Sequence, residues 1–206
     1  RFGSRNQAPC SAVLIYNKTE VFVAFCVVSF WCINYYTVCV WHGFFLTTSE
    51  LVGEEGMLDE TDTWQLIFVS NLLLVALLPF GGYLGDILQA RYTRMKRKIT
   101  MADIRMERKM NLDDNIDSSA ILAPSSTYGH RMVMCIGLLM TVLGVPFCYL
   151  CLTSGDLVQC CWAQGYLVLC SALFGGNMPF VLCEFFDESV RYTGVGVSYN
   201  LANALV

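Results

Sequence analysis

The sequence predicts an all-α membrane protein, four complete transmembrane helices followed by the start of a fifth. Three observations carry this expectation. The chain has 206 residues, of which 55% are hydrophobic and only 15% charged, where a soluble domain of this size carries about 25% charge. The charges that exist leave long windows with none: 21–49, 63–85, 132–155, 157–183 and 192–206. The first four windows hold 23 to 29 residues, enough to cross a hydrocarbon layer that needs about 20 helical residues. All 13 basic residues fall on one side of such crossings, in 1–20, 86–131 and 184–191, whereas 50–62 carries six carboxylates. By the positive-inside rule the basic side is cytoplasmic.

Runs such as Leu72 to Leu78 are apolar on every face. They suit helices, which satisfy their backbone groups internally, and not the alternating segments of about ten residues that a membrane β-barrel requires. The predicted helices cover about 21–46, 64–85, 132–152, 160–186 and 192–206. Trp41, Trp64 and Trp162 lie at their outer ends, where indole rings settle at the interface.

The first helix carries Asn34, Tyr35 and Tyr36 at mid-depth; polar groups there contact either a substrate or a neighbouring helix. After the second helix, 87–128 is polar. Its first part is a helical stripe of Tyr92, Met95, Ile99, Ala102, Met106 and Met110 set among eight basic residues. This is either a helix lying on an anionic inner leaflet or a solvated basic helix beside the membrane. Its second part, 111–127, is acidic and then Ser/Pro-rich, a linker composition. The fourth helix contains Gly175-Gly176-Asn177-Met178-Pro179. Proline removes a backbone hydrogen bond and costs roughly 3 kcal/mol in a helix interior, so a kink or break is expected there, serving either packing or a binding site. In the last helix Tyr199, Asn200 and Asn203 share a face.

Most of the 11 cysteines lie within apolar windows and read as small packing residues. Cys148, Cys151, Cys160 and Cys161 cluster toward the outer face, but without a second C-x-x-C or a nearby His no metal site is expected, nor any cofactor. The two histidines form no H-E-x-x-H, and G-x-S-x-G is absent, so an enzyme is not expected. No signal peptide is evident in residues 1–20, no internal repeat is visible, and Arg1 and Val206 do not read as natural termini.

Two stretches resemble the major facilitator superfamily, in particular its metabolite:proton symporter branch of carboxylate and osmolyte carriers. Gly81-Gly82-Tyr83-Leu84-Gly85-Asp86 looks like the start of the loop pattern G-x-L-S-D-x-x-G-R-R, and Gly129-His130-Arg131 looks like its end. Forty-two residues separate Asp86 from Gly129 where the family has two, so an insertion of 40 splits the pattern. His130 stands where the family usually has Arg. The second stretch, Glu184 to Val195 followed by Tyr199-Asn200, is similar to E-L-F-P-T-x-V-R-Y-T-G followed by Y-N. Asp187 and Glu188 replace the usual Pro and Thr.

The resemblance implies the carboxy-terminal half of a facilitator bundle in the plasma membrane. It implies secondary active transport of a small organic acid or osmolyte, coupled to protons, by alternating access. Gate roles fall on Asp86 with Arg131 and on Glu184 with Arg191. The candidate substrate contacts are Asn34, Tyr35, Tyr36, Asn177, Tyr199 and Asn200. No acidic or basic group is expected deep in any crossing, which leaves the proton carrier outside this chain. The expected partners are a small-molecule substrate, protons and the bilayer, with anionic inner-leaflet lipids, and not nucleic acid. The alternative is a transport-incompetent receptor or scaffold of the same fold.

Overall fold

A computed structural model describes residue 13 and residues 15–48, 58–109, 127–154 and 156–205. The described residues form helices and no strand. In chain order these are α1 (Lys18–Tyr36), a π-helical turn (Thr37–Trp41), α2 (His42–Thr47), α3 (Glu60–Lys109), α4 (Tyr128–Leu152), α5 (Leu157–Gly175), α6 (Met178–Phe185) and α7 (Arg191–Leu205). Four stretches are long and apolar enough to cross a membrane: Lys18–Thr47, Glu60–Ala102, Tyr128–Leu152 and Leu157–Phe185. The protein is therefore an all-α membrane protein, with spans where the charge-free windows placed them.

The fourth span is the centre of the bundle. Two thirds of its apolar window is buried inside the protein (67%), against 17–33% for the other three. Small residues set how closely its neighbours approach. A Cβ on Gly81 would overlap the Ala172 carbonyl, one on Gly176 would overlap that of Leu78, and one on Gly82 would lie 3.2 Å from the Gly176 carbonyl oxygen. Thus α3 and α5 touch backbone to backbone, the kind of crossing that membrane helices use when no hydrophobic force pulls them together. On the next face, a Cβ on Gly129 would sit 2.6 Å from the Gly85 carbonyl oxygen and overlap the Gln89 backbone. This brings the start of α4 directly against α3. Helix α7 packs along α1, where Ser198 Oγ donates to the Val21 carbonyl at 3.4 Å.

One helix boundary differs from the expectation. The second helix does not end at Gly85, and no separate basic helix follows. Instead α3 runs unbroken for 50 residues, about 75 Å at 1.5 Å per residue. Gly81, Gly82 and Gly85 serve close approach, and the contacts they permit outweigh their roughly 1 kcal/mol lower helix propensity. The basic stretch from Arg91 to Lys109 is thus the continuation of the span. The linker proposed over 111–127 lies outside the described residues except for Thr127.

The fourth predicted helix is broken where proline suggested. α5 stops at Gly175, Gly176 and Asn177 form the junction, and α6 restarts at Met178 with Pro179 in its first turn. There the missing proline N–H leaves no intrahelical acceptor stranded.

Candidate functional site

At the end of the bundle marked by the basic residues, four helices and the α5/α6 junction bring their polar side chains together. Asn177 is the centre of this group and is completely buried, 0% exposed. Its amide nitrogen donates to the Gly81 carbonyl of α3 at 2.8 Å and to the Leu173 carbonyl of α5 at 2.9 Å. Both partners can only accept, so the amide orientation is fixed. Asn177 Oδ1 therefore faces His130 Nδ1, 2.8 Å away, and Nδ1 must carry the hydrogen. The imidazole lies flat on Phe180, with ring centroids 4.7 Å apart and planes 9° from parallel. Its Nε2 approaches Asp86 Oδ1 at 3.5 Å, an ion pair whenever the ring is protonated.

One residue further on, Arg131 Nη2 meets Glu184 Oε2 at 3.2 Å, and Thr127 donates its hydroxyl to the same carboxylate oxygen. Arg131 also lies over the Phe185 ring, 5.8 Å from its centroid. A cleft of about 390 Å³ opens here, lined by Thr127, His130, Pro179, Cys183, Glu184 and Arg191 among others.

All four expected gate residues sit at this end, but they pair differently. Asp86 faces His130 rather than Arg131, and Glu184 takes Arg131 rather than Arg191. Successive residues of a helix point about 100° apart, so His130 and Arg131 cannot both face α3. Arg191 instead donates from Nε to the Phe186 carbonyl at 3.4 Å, closing the turn between α6 and α7. The two halves of the split glycine pattern meet: the Gly129 N–H donates to Gln89 Oε1 at 2.8 Å, beside the Gly85–Gly129 contact.

The expected substrate contacts separate in the same way. Asn34 is buried, and its Oδ1 lies 2.7 Å from the hydroxyl oxygen of Ser171 on α5. Tyr35 and Tyr36 turn outward, 36% and 50% exposed, with Tyr35 set against Trp31 and Tyr36 rather than against another helix. Tyr199 and Asn200 are on the exposed face of α7; the buried face there is Gly194, Ser198 and Ala202. Asn177 is completely buried, with both amide hydrogens donated and its oxygen facing His130, so in this arrangement it joins helices.

Nearer the opposite end, a cavity of about 330 Å³ lies between α1 with its π-turn, α4 and α5. Behind its wall is a polar chain that the sequence reading missed. Gln164, fully buried, donates from Nε2 to the Val38 carbonyl in the π-turn at 2.5 Å and faces His42 Nδ1 with Oε1 at 2.9 Å. Asn71 of α3 donates to the next carbonyl, Cys39, at 3.4 Å. A π-turn disturbs the regular ladder of backbone bonds, and here side chains of two neighbouring helices engage carbonyls in it. The available signal was two polar side chains, His42 and Gln164, in separate charge-free windows. All ten described cysteines are free thiols, and among the described residues no group of three or more His, Cys, Asp or Glu is placed to hold a metal ion.

Comparisons with protein-family models, with curated proteins and with solved structures find no match to this chain. Function rests on the geometry just described.

Proposed function

We propose that the chain is part of a secondary active transporter of the major facilitator type. It would carry a small organic acid or osmolyte across the plasma membrane, coupled to protons, by alternating access. The observation that carries this reading is the convergence at the basic end. Residues 85–89 and 129–131, far apart in sequence, meet at the break between α5 and α6. Asp86 of α3 and Glu184 of α6 face His130 and Arg131 at the start of α4 beside the same break.

A gate must close and reopen, which demands contacts that are individually weak. The Arg131–Glu184 pair fits, with side chains 49% and 24% exposed, since ion pairs open to solvent contribute about 0–1 kcal/mol; in the other pair Asp86 is 66% exposed and His130 5%. The strong contacts, Asn177 with Gly81 and Leu173, lie beneath them and tie the broken helix to α3. In this scheme α6 and the start of α4 move against their neighbours, as discontinuous helices do in transporters. The exposed Arg91, Arg94, Arg97 and Lys98 of α3 lie beyond the charge-free window 63–85, on the side where anionic headgroups attract Lys and Arg by about 1 kcal/mol each.

Uptake of labelled citrate, proline and betaine by cells expressing the full-length protein, with and without an inward pH gradient, tests the proposal. Gradient-dependent accumulation of at least one is expected. No uptake of any of them, with normal surface expression, overturns it in favour of a receptor or scaffold.

A further inference from the structure

The cavity between α1, α4 and α5 is separate from the charged cluster, and its chemistry is different. Among the described residues, no Asp, Glu, Lys or Arg lines it. Its walls are aromatic and aliphatic, with Phe30, Trp41 and Tyr149 among them, and its polar side chains include Asn34, Thr37 and His42. The volume, about 330 Å³, is at the lower end of the range for small-molecule sites.

His42 gives this cavity a directional polar group. Because the Val38 carbonyl can only accept, Gln164 must present its NH2 there and its Oε1 to His42. His42 Nδ1 therefore carries the hydrogen, and in the neutral ring Nε2 is a bare acceptor. His42 is 6% exposed, and among the described residues its ring is hydrogen-bonded through Nδ1 alone. A buried imidazole that lines a cavity and has one nitrogen held by a dedicated partner is a candidate recognition group. It stands immediately after the π-turn, a distortion frequent at functional sites, and Thr37, Val38 and Trp41 of that turn line the same space.

The rim shows where a ligand enters. Trp41, Val145 and Tyr149 are each about half exposed, at 50%, 46% and 49%, and all lie within membrane-spanning stretches. The cavity thus opens sideways between α1 and α4, from the middle of these stretches toward the end that carries Trp41. A molecule that suits walls of this composition is uncharged and mainly apolar.

We propose that this cavity is a binding site for an uncharged, flat, mainly apolar molecule with a single N–H or O–H donor, which donates to His42 Nε2 while its body packs against Trp41, Phe30 and Tyr149. The site is independent of the charged cluster, and its occupancy does not depend on transport.

Indole is a fitting probe, and indene is its near-isostere without the N–H. The experiment measures saturable binding of tritiated indole to the full-length protein in lipid nanodiscs, with empty discs subtracted. One site per chain is expected, with indene competing roughly tenfold more weakly because it leaves the acceptor unpaired. His42→Phe should weaken indole by a similar factor and leave indene's affinity unchanged. Val145→Trp, at the half-exposed rim, fills the cavity and should abolish binding of both while the melting temperature stays within a few degrees of the parent. The proposal is overturned by no saturable indole binding, by equal affinity for indole and indene, or by unchanged binding in Val145→Trp. Each result is read without any transport assay, so failure here leaves the proposed transport function standing.

Discussion

Replacing Asn177 with alanine tests whether this residue joins helices or contacts a substrate. The side chain is 0% exposed and engages three partners, with donor–acceptor distances of 2.8 Å to Gly81, 2.9 Å to Leu173 and 2.8 Å to His130. The Leu173 carbonyl lies in the last turn of α5, and the Asn177 N–H that would otherwise reach it bonds to Phe174 at 3.2 Å. Alanine therefore strands a helix-end carbonyl and the His130 Nδ1–H, whereas the Gly81 carbonyl sits within the continuous helix α3. Hydrogen bonds between membrane helices average about 0.6 kcal/mol, and a buried group left unpaired costs about 1–3 kcal/mol. With two groups stranded, Asn177→Ala should destabilise the protein by about 2–4 kcal/mol. Equilibrium unfolding by SDS in mixed micelles measures this, with Tyr199→Ala on the exposed face of α7 as a control expected within about 0.5 kcal/mol of the parent. If Asn177→Ala unfolds at the parental midpoint, the tie between the broken helix and α3 is not structural and the description of this junction is wrong.

The glycine contacts make paired predictions. Gly129→Ala must push α4 away from the Gln89 backbone and should cost about 1–3 kcal/mol by overpacking. Gly165→Ala, in α5 with nothing within 4 Å of the new Cβ, should be neutral or stabilise by up to about 1 kcal/mol; the same unfolding assay reads both. Gln164→Leu removes the group that holds the Val38 carbonyl and orients His42. It should lower stability by about 2–3 kcal/mol and speed amide hydrogen exchange across Thr37–Trp41 relative to the rest of α1. An epitope tag between Asn111 and Tyr128 should be reached by antibody only after cells are permeabilised, since Thr127 and the basic continuation of α3 share the basic end of the bundle. Labelling of intact cells would reverse the orientation.

Much of the fold was legible because burying charge in a bilayer is expensive enough to shape the whole sequence. The four spans follow the charge-free windows, and Pro179 marked the α5/α6 break. What the sequence could not convey was which way neighbouring residues point. Asn34, Tyr35 and Tyr36 were indistinguishable as a polar run, yet a 100° step between residues turns Asn34 toward α5 and leaves both tyrosines on the exposed face. The same step decided that His130, not Arg131, meets Asp86. The glycines before Asp86 were ambiguous for a related reason. Glycine permits both a turn and a close helix crossing, and only the partner helix, with Ala172 and Gly176 against it, selects the second. His42 and Gln164 were missed because each alone is a single polar residue in an apolar window; their significance comes from a contact spanning 122 residues of chain.

The proposal that the paired charges form a gate is tested most directly by exchanging them. Arg131 and Glu184 lie 3.2 Å apart, so Arg131→Glu or Glu184→Arg alone replaces attraction by repulsion, a change of about 1–2 kcal/mol for a half-exposed pair. Initial uptake rates of whichever labelled substrate the parent accumulates should fall roughly tenfold in each single variant. In the double variant, where the pair is restored with its ends reversed, they should recover to near the parental rate. A double variant no better than either single one, or single variants that transport at the parental rate with normal surface expression, would contradict the gate.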